Sequence, residues 1–256
     1  MLTALTHQPS PALQDCELTF LPHQKIDLAL ASRQHRDYCT MLKNCGAEII
    51  TLHDNLTLPD SVFVEDPVVV FDEIAIMTSM GVASRRRETA AIESFFRSYR
   101  QTQRICLPAK LEGGDVLQIG KTVYVGLSSR TNGQGIAALR RIMKPLGYQI
   151  IPVTVRGCLH LKTGCTALDT NTILAHPEWL DLSPFQNLEI IRIPVEEPFG
   201  ANILPIHDTI CMNRAFPKTE QLVRDLGYKV ISTDISEFVK AEAGLTCMSV
   251  LFNMNP

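Results

Sequence analysis

A chain of 256 residues, 45% hydrophobic and 20% charged, carries enough apolar side chains to bury a core, which excludes intrinsic disorder. Lys and Arg total 24 against 27 Asp and Glu, and the net charge of −3 offers no basic face to nucleic acid or an anionic membrane. No uncharged stretch reaches the ~18 residues of a membrane span, and residues 1–15 lack a signal peptide's basic start and apolar run, so a soluble cytoplasmic protein is expected.

Along the chain, β-branched runs alternate with amphipathic helices. A helix is predicted over 26–45 and a strand over 47–52, followed by strands at 68–71 and 74–79 and a helix at 87–99. A strand at 122–126, a helix at 133–144, a strand at 172–175, a helix at 217–226 and a strand at 246–252 complete the pattern. No linker or low-complexity tract interrupts it, so residues 1–256 read as one domain.

An internal repeat runs through these elements. Gly46-Ala-Glu-Ile-Ile-Thr-Leu, Gly147-Tyr-Gln-Ile-Ile-Pro-Val and Gly227-Tyr-Lys-Val-Ile-Ser-Thr share one pattern, and Asn187-Leu-Glu-Ile-Ile-Arg-Ile fits with Asn for Gly. Each reads as a helix ended by a left-handed cap and turned directly into a strand, a conformation Gly adopts without a Cβ penalty. The last three caps fall at 147, 187 and 227, evenly spaced, and a degraded copy lies at 102–107, making five. Such self-similarity favours repeated units around a shared centre, a closed pseudo-symmetric α/β propeller, over an ordinary α/β sheet.

Eight cysteines raise the question of disulfides, but a chain of this size needs no staples, and no Cys-x-x-Cys pair or zinc-ligand spacing occurs. Most are expected as buried reduced thiols.

Three segments hold reactive residues where packing alone would not put them. Glu65-Asp66-Pro67 places two carboxylates between apolar runs, so a cationic partner is expected if they are buried; a turn with solvated acids is the alternative. Glu112-Gly113-Gly114-Asp115 lets the backbone approach a ligand or another strand closely, as would a plain hairpin turn. His160 and Cys247 would form a base–nucleophile pair if the fold joins them, although each alone is equally a core residue. Arg130-Thr-Asn-Gly133-Gln-Gly135 lacks the spacing of a phosphate-binding loop, and Arg85-Arg86-Arg87 at a helix start opposes the helix dipole, which suggests that one of them is needed elsewhere.

Taken in order, Phe63-Val-Glu65-Asp66-Pro67, Ser84-Arg85-Arg86, Glu112-Gly113-Gly114-Asp115, Gly126-Leu-Ser-Ser-Arg130-Thr-Asn132, Leu159-His160-Leu-Lys-Thr-Gly164 and Thr246-Cys247-Met-Ser249 resemble the dimethylarginine dimethylaminohydrolase family of guanidino-modifying penteins. The resemblance covers nearly the whole chain and implies a five-bladed pseudo-symmetric α/β propeller with a central active-site channel. It implies hydrolysis of dimethylarginine or monomethylarginine to citrulline through a covalent thiouronium. Cys247 would be the nucleophile, His160 the general acid and then base, and Glu112 the acid that orients the imidazole. Glu65 and Asp66 would bind the guanidinium, Arg85 and Arg130 the α-carboxylate, and Asp60, Leu18 and the Ala241 carbonyl the remainder of the amino-acid end. No metal or organic cofactor is implied; the partner is a small guanidino amino acid, not nucleic acid or membrane, and a homodimer is left open.

The chain departs from the family where Glu242-Ala243 stands in place of Asp-Gly, and its lid segment Leu18-Thr-Phe-Leu-Pro22 carries a proline; both bear on the substrate end. Arginine deiminase and amidinotransferases are rivals on the same fold, but they are usually longer. Non-catalytic penteins lack the Cys/His pair, and papain-like hydrolases place their cysteine before the histidine.

Overall fold

A computed structural model describes residues 1–254. Its strands are β1 (Leu2–His7), β2 (Glu48–Leu52), β3 (Val68–Val70), β4 (Ile74–Met77), β5 (Gln101–Arg104), β6 (Val116–Ile119), β7 (Thr122–Leu127) and β8 (Gln149–Thr154). They continue as β9 (Cys165–Ala167), β10 (Thr172–Ala175), β11 (Glu189–Arg192), β12 (Leu204–Ile206), β13 (Thr209–Asn213), β14 (Lys229–Thr233) and β15 (Val250–Asn253). They form five three-stranded sheets: β15-β1-β2, β3-β4-β5, β6-β7-β8, β9-β10-β11 and β12-β13-β14. In each, the middle strand pairs antiparallel with one neighbour and parallel with the other.

A parallel neighbour requires a crossover. Four of the crossovers contain α1 (Leu28–Asn44), α2 (Thr89–Phe96), α3 (Gly133–Met143) and the helix at Pro217–Asp225; the fourth sheet has only a 3₁₀ turn, Ser183–Phe185. The first sheet pairs β15 from one end of the chain with β1 from the other, in register from Leu2 opposite Asn253 to Leu5 opposite Val250, and so closes the ring. A channel of about 1490 Å³ is lined by the antiparallel strands β3, β6, β9, β12 and β15, one from each sheet. The five-bladed propeller expected from the repeat is the architecture observed.

The core is divided in the same way. One apolar cluster lies between each pair of neighbouring sheets: Leu5, Met77 and Phe252 join the first and second, and Ile76, Val123 and Leu139 the second and third. Tyr124 and Phe185 join the third and fourth, Leu174 and Met212 the fourth and fifth, and Leu42 and Cys211 the fifth and first. The middle strand of each sheet is therefore buried on both faces, which is why it reads as an apolar run rather than an alternating one.

The predicted caps Gly46, Gly147 and Gly227 stand at φ 96, 83 and 92°. Asn187 does not follow them: the non-glycine residues with positive φ are His207 and Glu242, and the turn at 187 is built from the Ser183–Phe185 3₁₀ segment with Leu188 N–H donating to the Phe185 carbonyl. Without a full α-helix to terminate, no left-handed cap is required. The degraded copy at 102–107 does supply β5, but α2 ends without a glycine. Two bounds change. The helix expected over 87–99 is a 3₁₀ turn, Ser84–Glu88, followed by α2, and of the strand expected over 246–252 only Val250 onward is extended. Thr246–Met248 is a 3₁₀ turn, so Cys247 sits on a turn beside the channel rather than in a strand.

Candidate active site

The Glu65-Asp66 loop enters β3 through Pro67 and is fixed by its backbone. Glu65 N–H donates to the Cys247 carbonyl (3.2 Å) and Gly113 N–H to the Asp66 carbonyl (2.9 Å). A Cβ on Gly113 would stand 1.9 Å from the Glu65 carbonyl oxygen, and one on Gly114 would stand 2.7 Å from Nδ1 of His160. The paired glycines are thus the condition for three segments, at 65–66, 112–115 and 160, to meet.

His160 is buried, with Nε2 2.7 Å from Glu112 Oε2 and 3.8 Å from Asp66 Oδ1. Burial opposes its charge, but Asp66, the Glu112 hydrogen bond and Asp115 outweigh it and push the imidazole up to about 9. Asp66 is held down at about 2: burial works against ionisation, while His160 and Arg85 favour it. Glu112 is likewise lowered, chiefly by His160 once burial is overcome. His160 thus lies between two carboxylates that favour its charged form.

Cys247 is partly exposed, and its Sγ accepts from Gly244 N–H at 3.4 Å. Burial, then Glu65, then Asp66 push its thiol well above the ordinary cysteine range, only partly offset by Gly244 N–H and Lys162. Of these acids, Asp66 bears on both His160 and Cys247. The other cysteines are free thiols as well; Cys45 and Cys211 lie with their sulfurs 3.6 Å apart, and Cys106 is exposed rather than buried as most were expected to be.

The expected amino-acid-end residues are joined by the lid. Asp60 is buried and accepts Glu17 N–H at 3.2 and 3.3 Å, next to the partly buried Leu18. Arg130 is buried, donates from Nη2 to Thr19 Oγ1 (2.9 Å), and has Nη1 3.5 Å from Glu112 Oε1 with no hydrogen-bond partner. Ala241 is buried one residue before Glu242. Arg85 is placed differently from the expectation of a free carboxylate clamp. It turns inward, donating from Nη1 to Asp66 (2.7 Å), from Nε and Nη2 to Glu88 (3.0 and 2.9 Å) and from Nη2 to the Phe63 carbonyl (3.3 Å). Four of its five N–H donors are thereby engaged. The cation at this helix start is there for the buried acids.

Several residues of the site had no assigned role from sequence. Lys162 Nζ lies 2.6 Å from Glu65 Oε1 while Thr246 Oγ1 donates to Oε2 (2.9 Å), and together they close the inner end of the channel. Asp115, buried, accepts Leu161 N–H and Ser128 Oγ and so fixes the His160 loop. Asn202 ties that loop to the cysteine turn through the Lys162 carbonyl (2.8 Å) and Thr246 (3.0 Å). Lys162 and Asp115 lie inside recognised motifs, but Asn202 lies in none. Asp66, Glu112 and His160 offer ligand atoms close enough to hold a metal ion, yet the basic imidazole and the Arg85 guanidinium already neutralise these acids.

The family model for arginine deiminase matches residues 56–194. The dimethylarginine dimethylaminohydrolase of Pseudomonas aeruginosa is 38% identical over 230 residues, covering 89% of this chain and 91% of that protein. The one of Streptomyces coelicolor is 39% identical over 249 residues, covering 96% and 95%. A solved structure of the Pseudomonas aeruginosa enzyme, a cysteine-to-serine variant with citrulline, superposes with a TM-score of 0.94 at 36% identity over 98% of this chain and all of that one. The amino-terminal domain of the cyanobacterial arginine dihydrolase ArgZ, 18% identical with a TM-score of 0.86, shares the fold. With that identity along nearly the full length of both relatives and the same five-sheet ring, this chain belongs to the dimethylarginine dimethylaminohydrolase family.

Proposed function

We propose that the protein hydrolyses Nω,Nω-dimethyl-L-arginine, and its monomethyl analogue, to L-citrulline and the corresponding amine. The observation that carries this reading is His160 buried between Asp66 and Glu112, with Asp66, together with Glu65, acting on Cys247 as well. A planar guanidinium suits two converging carboxylates, and both retain lone pairs beyond their present partners.

In the proposed reaction the Cys247 thiol loses its proton to solvent as the guanidinium binds, and the thiolate attacks the guanidinium carbon to give a tetrahedral adduct. The bond to the dimethylated nitrogen then breaks as that nitrogen takes the Nε2 or Nδ1 proton of His160. The neutral imidazole next removes a proton from water, whose oxygen attacks the thiouronium carbon; the sulfur leaves and citrulline forms. Glu112 keeps the imidazole oriented and charged, as the acid of a triad does. The unpartnered Arg130 N–H and the one left on Arg85 receive the α-carboxylate; Asp60, Leu18 and the Ala241 carbonyl receive the amine end. None of these steps calls for a cofactor, and because the ring is closed by both ends of the chain, the chain acts as one catalytic domain. Among the described residues, no helix is long and apolar enough to cross a membrane.

A citrulline assay across dimethylarginine, monomethylarginine and arginine tests the reading. Turnover of the methylated forms that Cys247→Ser abolishes is the expected result. Turnover of arginine alone would favour a deiminase, and full activity of Cys247→Ser would remove the mechanism.

A further inference from the structure

The strip from Glu17 to Leu21 has no regular structure and directs its backbone donors to side chains from distant parts of the chain. Glu17 N–H goes to Asp60, while the N–H groups of Thr19, Phe20 and Leu21 converge on the single carboxylate of Glu242, Thr19 at 2.9 Å from Oε2 and the other two on Oε1. The Thr19 hydroxyl in turn accepts from Arg130. Side chains add little hold at this point: Thr19 and Pro22 are exposed and Phe20 is 53% exposed, at the rim of a small cavity of about 70 Å³ that also borders Leu159 and Leu245.

Glu242 itself stands at φ 59°, the left-handed region, which a residue with a Cβ adopts only against strain. Glycine would relax that backbone, so the glutamate is kept there by what its carboxylate holds. Charge-assisted bonds to three successive amides are among the stronger hydrogen bonds available to a surface loop.

We infer that Glu242 is a positioning residue, the latch that keeps lid residues 19–21 closed and, through Thr19, sets Arg130 for the substrate's carboxylate. The inference rests on the reading of Arg130 given under the proposed function. It assigns the Glu242-Ala243 departure a purpose: the extra methylene of glutamate over aspartate lengthens the reach of the latch to the proline-bearing lid.

Glu242→Gly removes the carboxylate while relaxing the backbone, so global stability should hold as the lid opens. The expected result has three parts: a melting temperature close to that of the parent, faster chymotryptic cleavage after Phe20 followed by mass spectrometry, and a KM for dimethylarginine raised about tenfold or more with kcat changed far less. Glu242→Gln, which keeps the length and one acceptor, should restore part of both the protection and the KM. Unchanged cleavage in Glu242→Gly would overturn the latch, and faster cleavage with an unchanged KM would overturn its coupling to substrate. The cleavage arm needs no turnover, so an inactive parent enzyme would refute the proposed function while leaving the latch to stand or fall by proteolysis.

Discussion

The Cys247 thiol is expected to ionise chiefly when a guanidinium arrives. Its surroundings raise its pKa above the ordinary value of 9.0, first by burial and then through Glu65 and Asp66. At pH 7 a thiol of pKa 9 or higher is at most about 1% thiolate. A guanidinium bound about 4 Å from the sulfur, at an effective dielectric near 20, would favour the thiolate by about 4 kcal/mol, or about 3 pKa units. That raises the thiolate fraction about a thousandfold in the complex over the free enzyme. The assay follows thiolate ultraviolet absorbance against pH, as the difference between the parent and Cys247→Ser, with and without an unreactive guanidinium ligand. Iodoacetamide, being neutral, gives an independent rate profile for the free enzyme. An inflection at pH 7 or below without ligand, or one that the ligand leaves unmoved, would refute the argument.

Two further outcomes follow from the same coordinates. The His160 imidazole is raised to about 9 in the folded state from an ordinary 6.5, so its pairing contributes stability that is fully present below pH 6.5 and is lost as the pH rises through 9. The shift corresponds to an upper bound of about 3 kcal/mol, so parent melting temperatures should fall between pH 6.5 and 9 while those of His160→Asn stay flatter; equal slopes would show that the imidazole is neutral in the fold. Gly113→Ala sets a Cβ 1.9 Å from the Glu65 carbonyl and 2.9 Å from that of Val68, both backbone, so a loss of about 3 kcal/mol or more is expected on urea unfolding. A change below about 1 kcal/mol would mean that the segments at 65 and 113 are not pressed together.

What the sequence disclosed, and what it hid, divides along physical lines. Gly46, Gly147 and Gly227 mark a local event, a chain reversal that needs positive φ, and local events leave a residue-type signature. The ring followed from their repetition. Asn187 misled because its segment makes the same reversal with a 3₁₀ turn, a choice set by the short crossover and not by residue 187. Ordered motifs gave the site acids, but not their partners. That Arg85 turns inward to Asp66 and Glu88, and that Lys162 caps Glu65, depends on side-chain direction across loops far apart in sequence. Glu242 was visible as a departure from pattern, but its role was not, because the three amides it collects lie more than 220 residues away.

The arrangement of charge explains why so many acids are tolerated around one site. Asp60, Glu65, Asp66, Glu88, Glu112 and Asp115 are all buried, against the cations Arg85, Arg130, Lys162 and the protonated His160. The acids are sorted by position. Asp66 and Glu112, against the imidazole, are driven toward ionisation, whereas burial pushes Asp60, Glu88 and Asp115 up, Glu88 to about 7. Even with Lys162 on Glu65 and Arg85 on Asp66, these two acids set the negative potential that Cys247 feels. In the proposed reaction a neutral ligand would leave that potential unchanged and the sulfur protonated, whereas a flat cation would satisfy the acids and favour the Cys247 thiolate in the same binding step. Selectivity for guanidinium and activation of the thiol are then two consequences of one charge distribution, and a substitution that neutralises Glu65 should weaken the first while relaxing the need for the second.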